Sequence, residues 1–275
     1  MAGASGGESE WEEVAARWES GRRLLWESTR NVSEWLIERI DPQSGQTLLE
    51  LASGTGETGF LAARRLVPGG RLISSDRSPA MLDAARRQAA ELGLHDIEFS
   101  VLDADAIALP DASLDGVLSR FGYILKGEPP RALSEIRRVL KPGGRLAFAV
   151  WAQREHNDWM TIPSEAMVEL GYLSAPSAEE TRLSQRRNPT TIALLLEQAG
   201  FGHCEIEAMA VNYHFPDRSE LWHFVSDLRG PLSAVIARLD ERERAEVRSA
   251  IERRVPHDPR GGCALGGVSL NVLAT

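Results

Sequence analysis

The sequence predicts an α/β fold, a doubly wound and mostly parallel sheet covered by helices on both faces. Three observations lead there. Short apolar runs alternate with segments of helical periodicity, the order that builds βαβ units. The runs are nearly continuous rather than alternating, as in strands buried on both faces. Glu50, Asp76, Asp103 and Ser119 each fall at the C-terminal end of a predicted strand, the edge where such sheets bind ligands.

Residues 1–10 are small and acidic and are expected to be disordered. They lack a positive segment ahead of an apolar core, which argues against a secretory signal. From Trp11 to Ile40 apolar residues recur at three- and four-residue spacing, and Asp41-Pro42 ends the pattern. This segment, 11–42, reads as a helical extension packed on the domain, or as a cap whose Trp18 covers a ligand.

The core is expected over 43–151. A strand at 47–52 passes through Gly54, Gly56 and Gly59 into a helix at 58–66, and Pro68-Gly69-Gly70 turns the chain. A second strand, 71–75, ends at Asp76. Ser78-Pro79 opens a helix with Met81, Leu82, Ala85 and Ala89 on one face, and Gly93 stops it. A third strand runs from Ile97 to Leu102 and a fourth from Gly116 to Ser119. Pro129-Pro130 precedes a helix, and Pro142-Gly143-Gly144 turns into a strand at 145–151. Residues 152–188 read as an insertion lining a substrate pocket. The remainder, 189–275, returns to the core: a helix at 190–199, a strand at 203–215, a helical lid over about 217–254, and a last strand at 268–273. Asp217 and Glu220 suggest a capping box at the start of the lid. One long charged helix is expected over about 232–254.

The turn at 54–59 matches the glycine spacing of dinucleotide-binding loops. Asp76 ends the next strand, where an acid can hold ribose hydroxyls. Both features suit a nicotinamide enzyme or any adenosine-binding protein. The acids decide between them. A dinucleotide lays its diphosphate on the helix N-terminus, where negative side chains are unwelcome. Glu50 enters this loop and Glu57 sits in it, which suits a ligand with a cationic amine or sulfonium.

Composition narrows the field further. The chain has 275 residues, 43% of them hydrophobic, enough for one large α/β domain with added elements. The net charge of −9 argues against a nucleic acid partner. The two cysteines, Cys204 and Cys263, form no paired motif, so a reducing cytoplasm is the default location. No apolar run approaches the roughly 20 residues that cross a bilayer.

The order Glu50-Leu51-Ala52-Ser53-Gly54-Thr55-Gly56, then Ser75-Asp76-Arg77-Ser78-Pro79-Ala80-Met81-Leu82, resembles the class I S-adenosylmethionine-dependent methyltransferases. Leu102-Asp103-Ala104-Asp105, Leu109-Pro110-Asp111-Ala112-Ser113-Leu114-Asp115 and Arg138-Val139-Leu140-Lys141-Pro142-Gly143-Gly144-Arg145 extend the likeness. The set is similar to the branch of ubiquinone and menaquinone biosynthesis methyltransferases, over about 47–151. The resemblance implies a Rossmann-like, seven-stranded sheet with an antiparallel last strand, and S-adenosylmethionine as cofactor. It implies that backbone groups of Ala52, Ser53, Gly54 and Gly56 line the methionine part, and that Glu50 faces its ammonium directly or through water. Asp76 would bind the ribose hydroxyls. Asp103 would take the adenine amino group, with the Ala104 N–H nearby and Met81 close to the cofactor. Ser119 and Arg120 would touch the cofactor and open the substrate pocket. Ala52 stands where many members have glycine. Arg77 stands where an aliphatic residue often packs on adenine; it stacks there or points to solvent.

Methyl transfer needs a base only if the acceptor must lose a proton, and no residue here is diagnostic of one. His156, past the fifth strand, and Tyr123, past the fourth, are the candidates; an exposed loop histidine and a core tyrosine are the competing readings. His214 and His223 fit no metal spacing, and the neighbours His203 and Cys204 face opposite ways in a strand. No metal site is expected. Asp111 and Asp115 read as turn residues. Glu57 can equally face water, so neutralising it should matter less than removing Asp76. Ser119-Arg120-Phe121-Gly122 replaces the Asn-Pro-Pro-Tyr type of signature for methylating base amino groups. Trp151, Trp159, Met160, Met167 and Tyr172, with Trp222 and Phe224, suggest a greasy lid. The expectation is a small, largely apolar acceptor methylated on oxygen or carbon. A nicotinamide oxidoreductase and a non-catalytic cofactor-binding protein are the alternatives. The oligomeric state is open, a homodimer included.

Overall fold

The computed structural model describes residues 6–122, 124–125, 130–227, 231–259 and 261–275, leaving out the side chains of 6–20 and 231. Helix α1 (Gly6–Ile40) opens the chain. It begins inside the stretch expected to be disordered, so 6–10 are helical.

Next come β1 (Thr47–Leu51), α2 (Glu57–Leu66), β2 (Arg71–Asp76), α3 (Pro79–Glu91) and β3 (Ile97–Val101). Ser78 caps α3 by accepting the Met81 N–H, and Pro79 takes the first helical position. Then β4 (Leu114–Arg120), α4 (Arg131–Val139) and β5 (Leu140–Trp151) follow. Here β5 starts earlier than read. Its register against β4 jumps from Leu114–Leu140 to Gly116–Arg145. The expected turn at Pro142-Gly143-Gly144 is therefore a bulge inside the strand, with Gly143 at φ +77°.

A 3-10 turn (Arg154–His156) leads to α5 (Asp158–Glu169) and α6 (Ala178–Gln185), then α7 (Pro189–Gln198) and β6 (Cys204–Phe215). Helices α8 (Arg218–Asp227), α9 (Pro231–Ala237) and α10 (Glu241–Arg254) precede β7 (Cys263–Ala274). Asp217 Oδ1 accepts the N–H groups of Ser219 and Glu220 at the start of α8. The single helix expected over 232–254 is two. Asp240 breaks it by forming a reciprocal capping box with Glu243, which starts a new helix.

The seven strands lie in the order β3-β2-β1-β4-β5-β7-β6. β1 pairs in parallel with β2 and β4, β2 with β3, and β4 with β5. His203 and Thr275 exchange N–H···O bonds of 3.3 and 3.1 Å, setting the start of β6 against the end of β7, so these two run antiparallel. The chain leaves β1 toward one edge and returns at β4 on its other side. That reversal between β1 and β4 is a topological switch point, where open sheets hold ligands.

The chain divides into two compact units. One holds 30–150, 186–209 and 269–275, and carries the sheet core: Leu48, Leu49, Leu72, Ile73, Val117 and Phe148 are fully buried. The last part of α1 belongs to it. Ser33 Oγ meets Thr58 Oγ1 at 2.9 Å, and Trp35 Nε1 donates to Glu207 Oε2 at 2.8 Å. The other holds the described residues up to Thr29, with 151–185 and 210–268. Its interior is a chain of rings: Trp151 and Trp159 centroids lie 4.7 Å apart, Trp159 and Tyr213 5.7 Å, and Tyr213 and Phe224 4.8 Å. Buried Asn157 ties this unit together, donating to the Ala152 and Gln153 carbonyls and accepting from Val268 N–H and Trp159 Nε1.

Candidate functional site

The site is built on the C-terminal ends of β1, β2, β3 and β4. After β1 the chain turns through Ala52 to Gly56. Ser53 N–H donates to Ser75 O, and Gly56 N–H donates to Ser53 O, both at 2.9 Å. Gly54 and Gly56 hold φ of +55° and +93°, the left-handed region where a side chain is strained. A side chain at Gly56 would also strike the Phe60 ring.

Asp76, the last residue of β2, locks this turn. Its Oδ2 accepts the Gly54 N–H and its Oδ1 the Ser78 N–H, each at 2.9 Å. One carboxylate thus bridges the glycine turn and the start of α3. A carboxylate is an acceptor of several hydrogen bonds, the kind of group that hydroxyls donate to.

Glu50 was expected to face the ligand's ammonium directly or through water. It is 2% exposed, so it cannot face a ligand directly. Its Oε1 accepts the Gly59 N–H at 2.8 Å and its Oε2 the Ser74 hydroxyl at 3.3 Å. Glu50 therefore ties the first turn of α2 down onto β1 and β2. Burial pushes its carboxyl up to about 8, against the opposing pull of the Gly59 N–H and the Arg120 charge.

For Glu57 both a place in the loop and a place in water were open, and it does not point into water. Its side chain is 10% exposed. Thr55 Oγ1 donates to its Oε1 at 2.7 Å, and Arg120 Nη2 lies 3.6 Å from its Oε2. Arg120 ends β4 and is itself largely buried. Each residue was legible alone; the pair needs the neighbouring of β1 and β4, which no local pattern displays.

The turns after β1 and β4 meet. Ala52 holds φ +53° and Phe121 φ +61°, both unusual for residues with a Cβ. Phe121 N–H donates to Ala149 O at 2.7 Å, which holds it there. A Cβ on Gly122 would sit 2.6 Å from Ser119 Oγ and 3.0 Å from the Ala52 Cβ. The strain at Phe121 gave no sequence signal. Ser53 Oγ and Ser119 Oγ are buried without a hydrogen-bond partner among the described residues. A buried hydroxyl left unpaired costs about 1–3 kcal/mol, and such atoms invite a ligand.

After β3, Asp103 is exposed. Its Oδ1 accepts the Asp105 N–H at 2.9 Å, and Arg77 Nε stands 3.9 Å from its Oδ2. Arg77 thus stands beside an acid with about half of its side chain still in solvent, its exposure being 51%. Ala104 is half-buried beside them. Met81 is 3% exposed within α3 and has almost no surface to offer a cofactor, a correction to its expected place. The Trp18 side chain and Tyr123 lie outside the described residues. His156 is exposed in the 3-10 turn of the other unit. Among the described residues no group of three His, Cys, Asp or Glu is placed to hold a metal ion, and no helix is long and apolar enough to cross a membrane.

This set fits an adenosine with a charged amino acid tail. Asp76 and Asp103 can accept from hydroxyl and amino groups. Glycine backbone and two orphaned hydroxyls surround the turn. Arg77 and Arg120 both stand beside acids, leaving the turn poorly suited to a diphosphate.

Comparison with known proteins agrees. Residues 48–144 match the family described as "Methyltransferase domain". The chain is 30% identical over 195 residues to the ubiquinone/menaquinone biosynthesis C-methyltransferase UbiE of Hahella chejuensis, covering 67% of this chain and 76% of that protein. It is 41% identical over 177 residues to the protein of the same name from Acidiphilium cryptum, covering 60% and 70%. Phosphoethanolamine N-methyltransferase 2 of Haemonchus contortus, solved in complex with S-adenosyl-L-methionine, shares the fold at a TM-score of 0.53. Its identity is 18%, over 89% of this chain and 52% of that one.

Proposed function

We propose, because this chain belongs to the class I S-adenosylmethionine-dependent methyltransferases, that it methylates carbon or oxygen of a small, largely apolar acceptor in the cytoplasm. S-adenosylmethionine is its cofactor, and supplies a methyl group already attached to a sulfonium leaving group. The observation that carries the reading is Asp76. It stands at the end of β2 and holds the glycine turn through the Gly54 N–H and the start of α3 through the Ser78 N–H, a carboxylate at the strand end where ribose hydroxyls would be met.

The remaining roles follow from position. Ala52, Ser53, Gly54 and Gly56 present backbone to the methionine part. Asp103 and the Ala104 N–H suit the adenine edge, with Arg77 beside them. Ser119, its hydroxyl unpaired, and Arg120 suit the reacting end. The chain's own task is to hold the acceptor in line with the methyl group and exclude water. Such positioning can contribute roughly 7–11 kcal/mol.

The relatives from Hahella and Acidiphilium are named C-methyltransferases of ubiquinone and menaquinone biosynthesis. Their names favour a ring carbon of a quinol-like molecule. His156, exposed in its turn, remains the candidate base only for an acceptor that must lose a proton.

Turnover with a methyl-labelled cofactor against quinols, phenols and polar amines tests this. Label should enter quinols or phenols; transfer confined to polar amines would refute the acceptor class. Asp76→Ala removes two charge-assisted hydrogen bonds, each worth roughly 1.5–3 kcal/mol. Calorimetry should show cofactor affinity lower by about a hundredfold or more; an unchanged value would remove Asp76 from the site.

A further inference from the structure

We infer that His214, held in place by Asp258, is the base that takes the hydroxyl proton from a phenol- or quinol-like acceptor. The inference rests on the methyltransferase reading and names a catalytic residue within it.

Both residues lie in the compact unit that holds 151–185 and 210–268. They are 44 residues apart in sequence. His214 stands one residue before the C-terminal end of β6, and such strand ends are where open sheets bind ligands. Asp258 lies in the turn that leads into β7. Its N–H donates to Gly262 O at 3.2 Å, and Gly261 N–H donates to its carbonyl at 2.9 Å. Asp258 Oδ2 meets His214 Nδ1 at 2.9 Å. The Asp258 side chain is 6% exposed and that of His214 39%. An ionised carboxylate only accepts, so Nδ1 carries the hydrogen and Nε2 keeps its lone pair. Among the described residues Nε2 has no hydrogen-bond partner. An imidazole held by a carboxylate on one nitrogen and open at the other is the arrangement of a general base.

The face around His214 leaves room for a flat ring. The pairing of His203 with Thr275 sets His214 opposite Ala264 and Asn212 opposite Gly266. A Cβ at Gly266 would meet only Asn212 Oδ1, at 3.7 Å. Across from these two polar residues β7 therefore supplies one methyl group and no more. Asn212 is exposed and shares the face of His214, two residues along the strand. That spacing, about 7 Å, is one that a ring with oxygens at both ends can span. The alternate residues Tyr213 and Phe215 are buried on the opposite face. The other histidine beside an acid is different in kind. His223 and Asp227 stand 3.7 Å apart within one turn of α8, each at least half exposed, a solvated surface pair.

The proton passes from the acceptor's hydroxyl to His214 Nε2. The freed electron pair makes the bond to the methyl carbon, from oxygen or, through the ring, from carbon. The bond between sulfur and methyl breaks, and its pair stays on sulfur. Transfer to carbon then releases the hydrogen of that carbon as a proton, and the oxygen regains one. Either way one proton leaves to water.

Nitrogen NMR of the imidazoles in the free protein should show His214 as the Nδ1–H tautomer, and Asp258→Asn should turn it to the Nε2–H form. His214→Gln should lower kcat for label transfer to quinols or phenols by about a hundredfold or more, with cofactor affinity unchanged in calorimetry. Asp258→Asn should lower kcat by about tenfold or more, with KM unchanged. His223→Gln should leave kcat unchanged. An Nε2–H tautomer in the wild type, or a His214→Gln enzyme with wild-type kcat, would make the pair a brace between strand and turn and overturn this inference alone. Should His214→Gln not fold, the wild-type tautomer and the kcat of Asp258→Asn decide in its place. A wild type that methylates polar amines only would overturn the acceptor class and this inference with it.

Discussion

Ala52 and Glu50 show what single residues contribute beside the ligand. Ala52 holds φ +53° while exposed, so its Cβ adds strain and little packing. A left-handed conformation disfavours an L side chain by about 1–2 kcal/mol. Ala52→Gly should recover about 1 kcal/mol, offset partly by the freer unfolded chain. Thermal melting should shift upward by about 2 °C; a lower melting temperature would show that the methyl group packs usefully. Glu50 predicts a pH effect. Its carboxyl titrates at about 8 in the fold against an ordinary value of 4.5, because burial favours the neutral form. The folded state therefore holds the proton more tightly. The contribution of this group is complete below about pH 4.5 and is lost as pH rises through about 8. Relative to Glu50→Gln, the wild type should lose on the order of a few kcal/mol across that window. Urea melts near pH 5 and near pH 8.5 measure it, and parallel curves would refute the shift.

At the scale of elements, α2 is fitted to β1 by the absence of one methyl group. A Cβ at Gly59 would come within 2.8 Å of the Glu50 carboxyl carbon and 2.9 Å of Leu72 Cδ2. Gly59→Ala should destabilise by about 1–3 kcal/mol through overpacking, although alanine is the better helix former. A neutral result in denaturant melts would mean that α2 can lift without penalty. The elements themselves were largely legible. Apolar runs bounded by glycine and proline located β1, β2 and β3 to within a residue, and Ser78-Pro79 marked the start of α3. What was missed has physical causes. Leu140 reads as the end of a helix, but the bulge at 142–144 lets it pair with Leu114, so β5 begins there. The break at Asp240 was hidden because the charged run continues on both sides of it; only the reciprocal bonds with Glu243 reveal a new start.

For the whole molecule, the strand order decided what local patterns left open. Acids at the ends of β1, β2 and β3 were readable as a row, and two of them, Asp76 and Asp103, do stand at the turns, with Glu57 opening α2 beside the first. The third, Glu50, lies under the loop, a placement that no linear pattern distinguishes from one above it. Ligand-linked stability reports on the assembled site. At a hundredfold excess over its dissociation constant, S-adenosylmethionine should stabilise the fold by about 2.7 kcal/mol, raising the melting temperature by about 5–10 °C. A reduced nicotinamide dinucleotide should produce no such shift; a shift by it alone would point to hydride chemistry instead. The interlock of Glu50 with Gly59 reaches beyond this one chain. A carboxyl seated where a methyl group would otherwise go makes the two positions a single heritable unit. In homologous sequences a residue larger than glycine at 59 should coincide with a shorter side chain at 50, and Glu50→Asp should rescue Gly59→Ala.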